Sequence, residues 1–139
     1  MNRLRRLDPT EGDTLRVICD YLDVQQRMGK LLYVRHQPPM MTSKRKDGKT
    51  KVILKKERES QLGAADLIVF RRVLLSARRN DLLGLYDSVD AHLDVLCIEV
   101  KSAKGQVSPA QSRWCGLALD QGCRHIIARS LDDVISALR

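Results

Sequence analysis

CIEVKSAKGQVSPAQ, running from Cys97 to Gln111, sets the architecture of this chain. Its first half closes an apolar run over residues 93–101, rich in Leu, Ile and Val, which reads as a buried strand. Lys104-Gly105 breaks that run. Ser108-Pro109 then starts a helix, with Ser as N-cap and Pro at the first helical position. The helix carries Trp114, Leu117 and Ala118, stops near Gly122, and gives way to a strand over residues 124–128. Two strands joined by a crossing helix imply a mixed sheet with helices on both faces.

Upstream, GAADLIVF (Gly63 to Phe70) supplies another buried strand, over residues 65–70. Asp8-Pro9-Thr10 opens a helix from Glu11 to Arg27, with Thr10 and Asp13 spaced as a capping box. Leu15, Ile18, Cys19 and Leu22 recur at helical spacing, and Gly29 ends the element. Residues 31–36 (LLYVRH) read as a strand stopped by Gln37-Pro38-Pro39. Residues 42–59 are expected to form a basic hairpin or loop around the turn signal Asp47-Gly48, with residues 51–54 as a return arm. Residues 71–91 read as an insertion with a short helix between Val73 and Leu85. Ser130 and Asp133 cap a closing helix with Val134, Ile135 and Leu138. The order is α-β-(basic hairpin)-β-β-α-β-α, in one domain spanning residues 1–139.

A chain of 139 residues, 43% hydrophobic, can bury its own core. The formal net charge is +8, and residues 42–59 contribute +5 of it through eight Lys and Arg against three acids. Such an excess points to a polyanion, with nucleic acid the first candidate. Aromatic residues make up only 4%, which argues against base stacking as the main binding device. No apolar stretch has the roughly 18 residues of a membrane-spanning helix, and no signal region opens the chain. The expected location is therefore the cytoplasm, or the nucleus in a nucleated host. Cys19, Cys97, Cys115 and Cys123 form no CxxC pair and read as reduced thiols. There is no Gly-rich phosphate loop and no Ser-His-Asp context, and His36, His92 and His125 do not fall into a metal-ligand sequence motif.

The chemistry centres on Asp66, Glu99 and Lys101. Glu99 and Lys101 alternate with Val100 along one strand and so share a face; Asp66 heads a neighbouring strand. Two carboxylates brought together invite a hard cation, Mg²⁺ or Mn²⁺, with the Val100 peptide carbonyl as a further ligand. Lys101 adds a point charge for an attacking hydroxide or a developing phosphorane. Solvated charges at strand ends are the bland alternative.

These residues resemble the virus-type replication-repair nucleases, a branch of the PD-(D/E)XK superfamily. The likeness runs through Glu11, Gly63-Ala64-Ala65-Asp66-Leu67, Ile98-Glu99-Val100-Lys101-Ser102, Lys104-Gly105, Ser108-Pro109-Ala110-Gln111 and Trp114, covering nearly the whole chain. The basic hairpin and the 71–91 insertion look longer than the family's minimal form. The resemblance implies a restriction-endonuclease-like α/β fold with an α-β-β-β-α-β core. It further implies that Asp66 and Glu99 bind metal, that Lys101 is catalytic, and that Gln111 and Glu11 complete the site. Gln111 also stands at a capping-box position, and Glu11 in a helical first turn where any carboxylate is favoured. Lys104 reads as a phosphate contact, as do Lys44, Arg45, Lys46, Lys49, Lys51, Lys55 and Lys56 of the basic hairpin.

Small stand-alone members of the family look like structure-selective endonucleases for branched DNA, including four-way (Holliday) junctions. Two symmetric nicks need two centres, which a homodimer supplies. Relatives that cut flaps or nick strands as monomers give one alternative; a non-catalytic nucleic-acid-binding module on the same fold gives another.

Overall fold

The computed structural model describes residues 8–37, 40–44, 47–48, 50–54, 62–80 and 85–139. Among the described residues three helices, α1 (Glu11–Arg27), α2 (Pro109–Asp120) and α3 (Leu131–Ala137), accompany six strands. These are β1 (Leu32–Arg35), β2 (Met40–Lys44), β3 (Thr50–Leu54), β4 (Leu67–Asn80), β5 (Leu85–Val100) and β6 (Arg124–Ala128). All three helices begin with a complete capping box: Thr10 with Asp13, Ser108 with Gln111, and Ser130 with Asp133. Each box satisfies two backbone donors that the first helical turn leaves without partners.

Four strands make one mixed sheet in the order β1-β4-β5-β6. β1 and β4 are antiparallel, as are β4 and β5, while β5 and β6 run parallel with α2 as the crossover. Strand alternation divides the side chains of β5. Leu96, Ile98 and Val100 enter a core with Ile18 and Leu22 of α1 and Val134 of α3. Cys97 faces the other way, into a smaller cluster with Ala65 and with Ala118 of α2. Helices thus cover both faces. Each fully buried Leu or Ile contributes roughly 1.5–3 kcal/mol.

Residues 71–91 correct one expectation. Among the described residues between Val73 and Leu85 there is no helix; β4 continues to Asn80, and β5 starts at Leu85 and pairs with it. Beyond the reach of β1 and β6 the two strands form a ribbon. Register shifts at Leu74/Ser76 and Arg78/Arg79 interrupt it.

The basic segment forms a hairpin of its own, β2 pairing β3 antiparallel from Met40↔Leu54 to Lys44↔Thr50. Gly48, with φ +74°, lies in the turn, where that backbone region favours glycine. Lys44 and Lys51 stand on these strands; Arg45, Lys46, Lys49, Lys55 and Lys56 lie outside the described residues. Among the described residues no helix is long and apolar enough to cross a membrane.

Candidate active site

Glu99 is almost completely enclosed, at 2% exposure, and Lys101 is nearly so at 8%. The strand that brings them there is buried on both faces, so neither charge can reach bulk water without leaving its neighbours. Their answer is each other: Lys101 Nζ lies 2.9 Å from Glu99 Oε1. Burial pushes the Glu99 carboxyl up; the Lys101 hydrogen bond opposes this, but the charges of Asp66 and Glu11 add to it, and the net shift is upward. Burial works against the Lys101 ammonium as well. There the bond to Glu99 and the charges of Glu99, Glu11 and Asp66 outweigh it, and the ammonium is held above the usual lysine range. Four charged side chains therefore act on one another at the end of β5.

Asp66 sits one residue before β4. The β4–β5 register pairs Leu67 with Ile98, so its continuation brings Asp66 opposite Glu99. The carboxylate is fixed there, because the Val100 amide donates to Asp66 Oδ2 at 2.8 Å. The Asp66 carbonyl accepts from the His36 amide at 2.9 Å, tying the end of β1 to the same corner. Gly63, three residues earlier, lies directly against the start of α2. A Cβ at this position would overlap the Ala110 carbonyl and the Gln111 amide, and its φ of +80° disfavours a side chain independently. The glycine in Gly63-Ala64-Ala65-Asp66 thus seats the helix that carries Gln111.

Gln111 makes two contacts with one side chain. Its Oε1 accepts from the Ser108 amide at 2.8 Å, completing the cap of α2, while its Nε2 donates to Glu99 Oε1. Glu11 also does two things. It stands in the first turn of α1, and its charge acts on both Glu99 and Lys101. A cleft of about 410 Å³ opens between that helix start and the loop after β5, lined by Asp8, Thr10, Glu11, Ser102 and Lys104 among others. Lys104 is exposed on this rim. Asp66, Glu99, Lys101, Gln111 and Glu11 are therefore brought to one corner of the sheet.

The chain enters the basic hairpin from β1, whose Arg35 pairs with Leu67, and returns to β4 through Asp66. The chain thus leaves and rejoins the main sheet at the acidic corner. Two groups of residues escaped the reading of the sequence. Arg129 bonds the carbonyls of Ser102, Ala103 and Gly105, and Asp94 joins Arg71 to Arg124. These partners are 23–30 positions apart, and no local pattern signals them.

Among the described residues no group of three or more His, Cys, Asp or Glu side chains is gathered as a metal cage. Mg²⁺ does not require one: it binds through one or two carboxylates and keeps waters or phosphate oxygens for the remainder. Asp66 and Glu99 are donors of that chemistry, and a divalent cation beside them would offset the burial and, secondarily, the neighbouring negative charge that raise Glu99. No family model, curated protein or solved structure matches the chain.

Proposed function

We propose that this protein is a divalent-metal-dependent endonuclease that hydrolyses phosphodiester bonds in branched DNA, four-way junctions included. In this reading the α/β sheet is a PD-(D/E)XK nuclease core of the virus-type replication-repair kind, and the working unit is a homodimer. The observation that carries the reading is the buried meeting of Asp66, Glu99 and Lys101, with Gln111 behind Glu99. Isolated buried charge is costly, and a fold without chemistry to perform at this corner would be served as well by apolar residues.

Asp66 and Glu99 hold the Mg²⁺ or Mn²⁺ in this reading, with the Val100 carbonyl as a further donor. The bound cation would polarise the scissile phosphate and lower the pKa of water. The remaining work falls to the chain. Lys101 presents a positive charge where negative charge develops on the phosphate as the water oxygen bonds to phosphorus and the P–O bond to the leaving sugar breaks. Gln111 keeps the Glu99 carboxylate oriented. Lys104 and the basic hairpin, with Lys44 and Lys51 on its strands, hold the flanking phosphates.

The test is cleavage of an end-labelled four-way junction in Mg²⁺ or Mn²⁺ by the wild type, Glu99→Ala and Lys101→Ala. The wild type cuts, and each variant binds but loses roughly 10²–10³-fold in rate. Junction binding by the wild type with no cut in either metal, on branched, flapped or linear DNA, would replace the enzyme with a binding module.

A further inference from the structure

Lys101 has a long, flexible stem, and a catalytic ammonium on such a stem needs something to aim it. Glu99 holds its tip. Gly105 stands beside the stem. An added Cβ at Gly105 would stand 3.3 Å from both Cβ and Cδ of Lys101 and 3.2 Å from Ser102 Oγ, so the space between this backbone and the lysine stem barely admits a methyl group. Where Gly105 stands depends in turn on the turn it closes, whose Gly105 N–H donates to the Ser102 carbonyl at 3.1 Å.

That turn is gripped from β6. Ala128 ends the strand and accepts from the Lys101 amide at 2.9 Å. The next residue, Arg129, sends its guanidinium back across the strand ends. Its Nη1 donates to the carbonyls of Ser102 and, at 3.3 Å, Ala103; its Nη2 donates to Gly105 at 3.0 Å. Its own backbone N–H is fixed on Asp133 Oδ2 at 2.8 Å, at the start of α3. A planar guanidinium spreads five N–H donors over three nitrogens in a fixed fork, whereas a lysine ammonium has three on a single nitrogen and cannot reproduce that span.

We infer that Arg129 is a positioning residue: through the 102–105 turn and Gly105 it sets where the Lys101 ammonium points. Its guanidinium serves the turn, so it is not one of the phosphate contacts, although it is an exposed cation near the cleft. The consequence for catalysis rests on the nuclease reading; the coupling of Arg129 to Lys101 does not.

The experiment compares the full chain with Arg129→Ala, Arg129→Lys and Gly105→Ala. Three readouts are taken: single-turnover cleavage, DNA affinity without divalent metal, and the NMR signals of the Lys101 side chain and the Gly105 amide. Arg129→Ala is expected to slow cleavage by about 10- to 100-fold, the range for displaced supporting groups, with affinity changed less than about twofold. The Lys101 signals shift, the Gly105 amide exchanges faster with solvent, and added guanidinium ion restores part of the rate. Arg129→Lys, which keeps the charge and loses the fork, behaves like Arg129→Ala and serves in its place if the alanine variant does not fold. Gly105→Ala, with Arg129 intact, reproduces the loss in rate. Lys101 signals unmoved by both Arg129 variants would overturn the inference, as would a variant whose defect lies in DNA affinity alone. A wild type that cuts no DNA, with Lys101 still shifting in Arg129→Ala, would sink the nuclease reading and leave the coupling standing.

Discussion

Gln111 is the residue where structure and chemistry overlap most closely. Its amide oxygen caps α2 and its amide nitrogen reaches Glu99, so one side chain ties the helix start to the acidic corner. Gln111→Glu separates the two roles. A glutamate still accepts from the Ser108 amide, but it sets a second carboxylate against Glu99 where a donor had been. Helix content by circular dichroism should be unchanged while cleavage falls about tenfold or more; full activity would show that the contact with Glu99 is idle. Gly63 makes a different demand. Gly63→Ala forces a side chain into a positive-φ position already filled by the backbone of α2, and should lower stability in urea unfolding by roughly 2–4 kcal/mol. A loss below 1 kcal/mol would mean that α2 is free to move aside. The sequence made Asp66, Glu99 and Lys101 legible because their chemistry is carried by residue type. It hid the need for Gly63, because the backbone that crowds it belongs to a helix some 47 positions later.

The helices were read almost to the residue, since Thr10, Ser108 and Ser130 each announce a helix start through a local capping pattern. The ribbon formed by β4 and β5 was not. Leu, Ala and Arg in residues 74–79 are good helix formers, and the register shifts within that stretch break the alternation by which a strand is recognised. Pairing with residues 85–91 overrides the local preference, and pairing is invisible in a single segment. At its root, the sheet is fastened by Asp94, which takes Arg71 at 2.7 Å from β4 and Arg124 at 2.6 Å from β6. The same arginines donate to Leu138 and Ala137, so they also serve the carbonyl end of α3. Arg124, with burial opposing and Arg71 adding, holds the Asp94 carboxyl down at about 2, below its ordinary 3.8. A carboxylate lowered in the folded state contributes stability that is complete above the unfolded value and is lost as pH falls through the folded one. Asp94 should therefore contribute about 2 kcal/mol that disappears between pH 4 and pH 2. Asp94→Asn should flatten the unfolding free energy across that window relative to the wild type. An identical acid profile for the two proteins would refute the assignment.

Charge and topology act together over the whole molecule. The chain carries +8, and more than half of that excess belongs to residues 42–59. The hairpin that bears it leaves the sheet beside Arg35 and returns at Asp66, whereas the β4–β5 ribbon leaves from the opposite end of the same strands. At about 3.3 Å per residue, Ala91 lies roughly 25 Å along β5 from Glu99. In the proposed reading, a polyanion drawn by this excess charge would be held where the chain on either side of the hairpin joins the sheet, beside Asp66, while the ribbon points the other way. Replacing Lys44, Arg45, Lys46, Lys49, Lys51, Lys55 and Lys56 with glutamine tests this division directly. Each phosphate released from contact takes about 0.9 off the slope of log affinity against log salt for duplex DNA. If half of these seven residues touch phosphate, the slope should fall in magnitude by about 3, with affinity at low salt falling alongside it. The acidic corner is built from other residues, so saturating DNA should restore a cleavage rate close to that of the wild type. A slope equal to that of the wild type would move the binding surface elsewhere on the molecule. A rate that stays low at saturation would mean that the hairpin aligns the phosphate at Asp66 and Glu99 as well as retaining the strand.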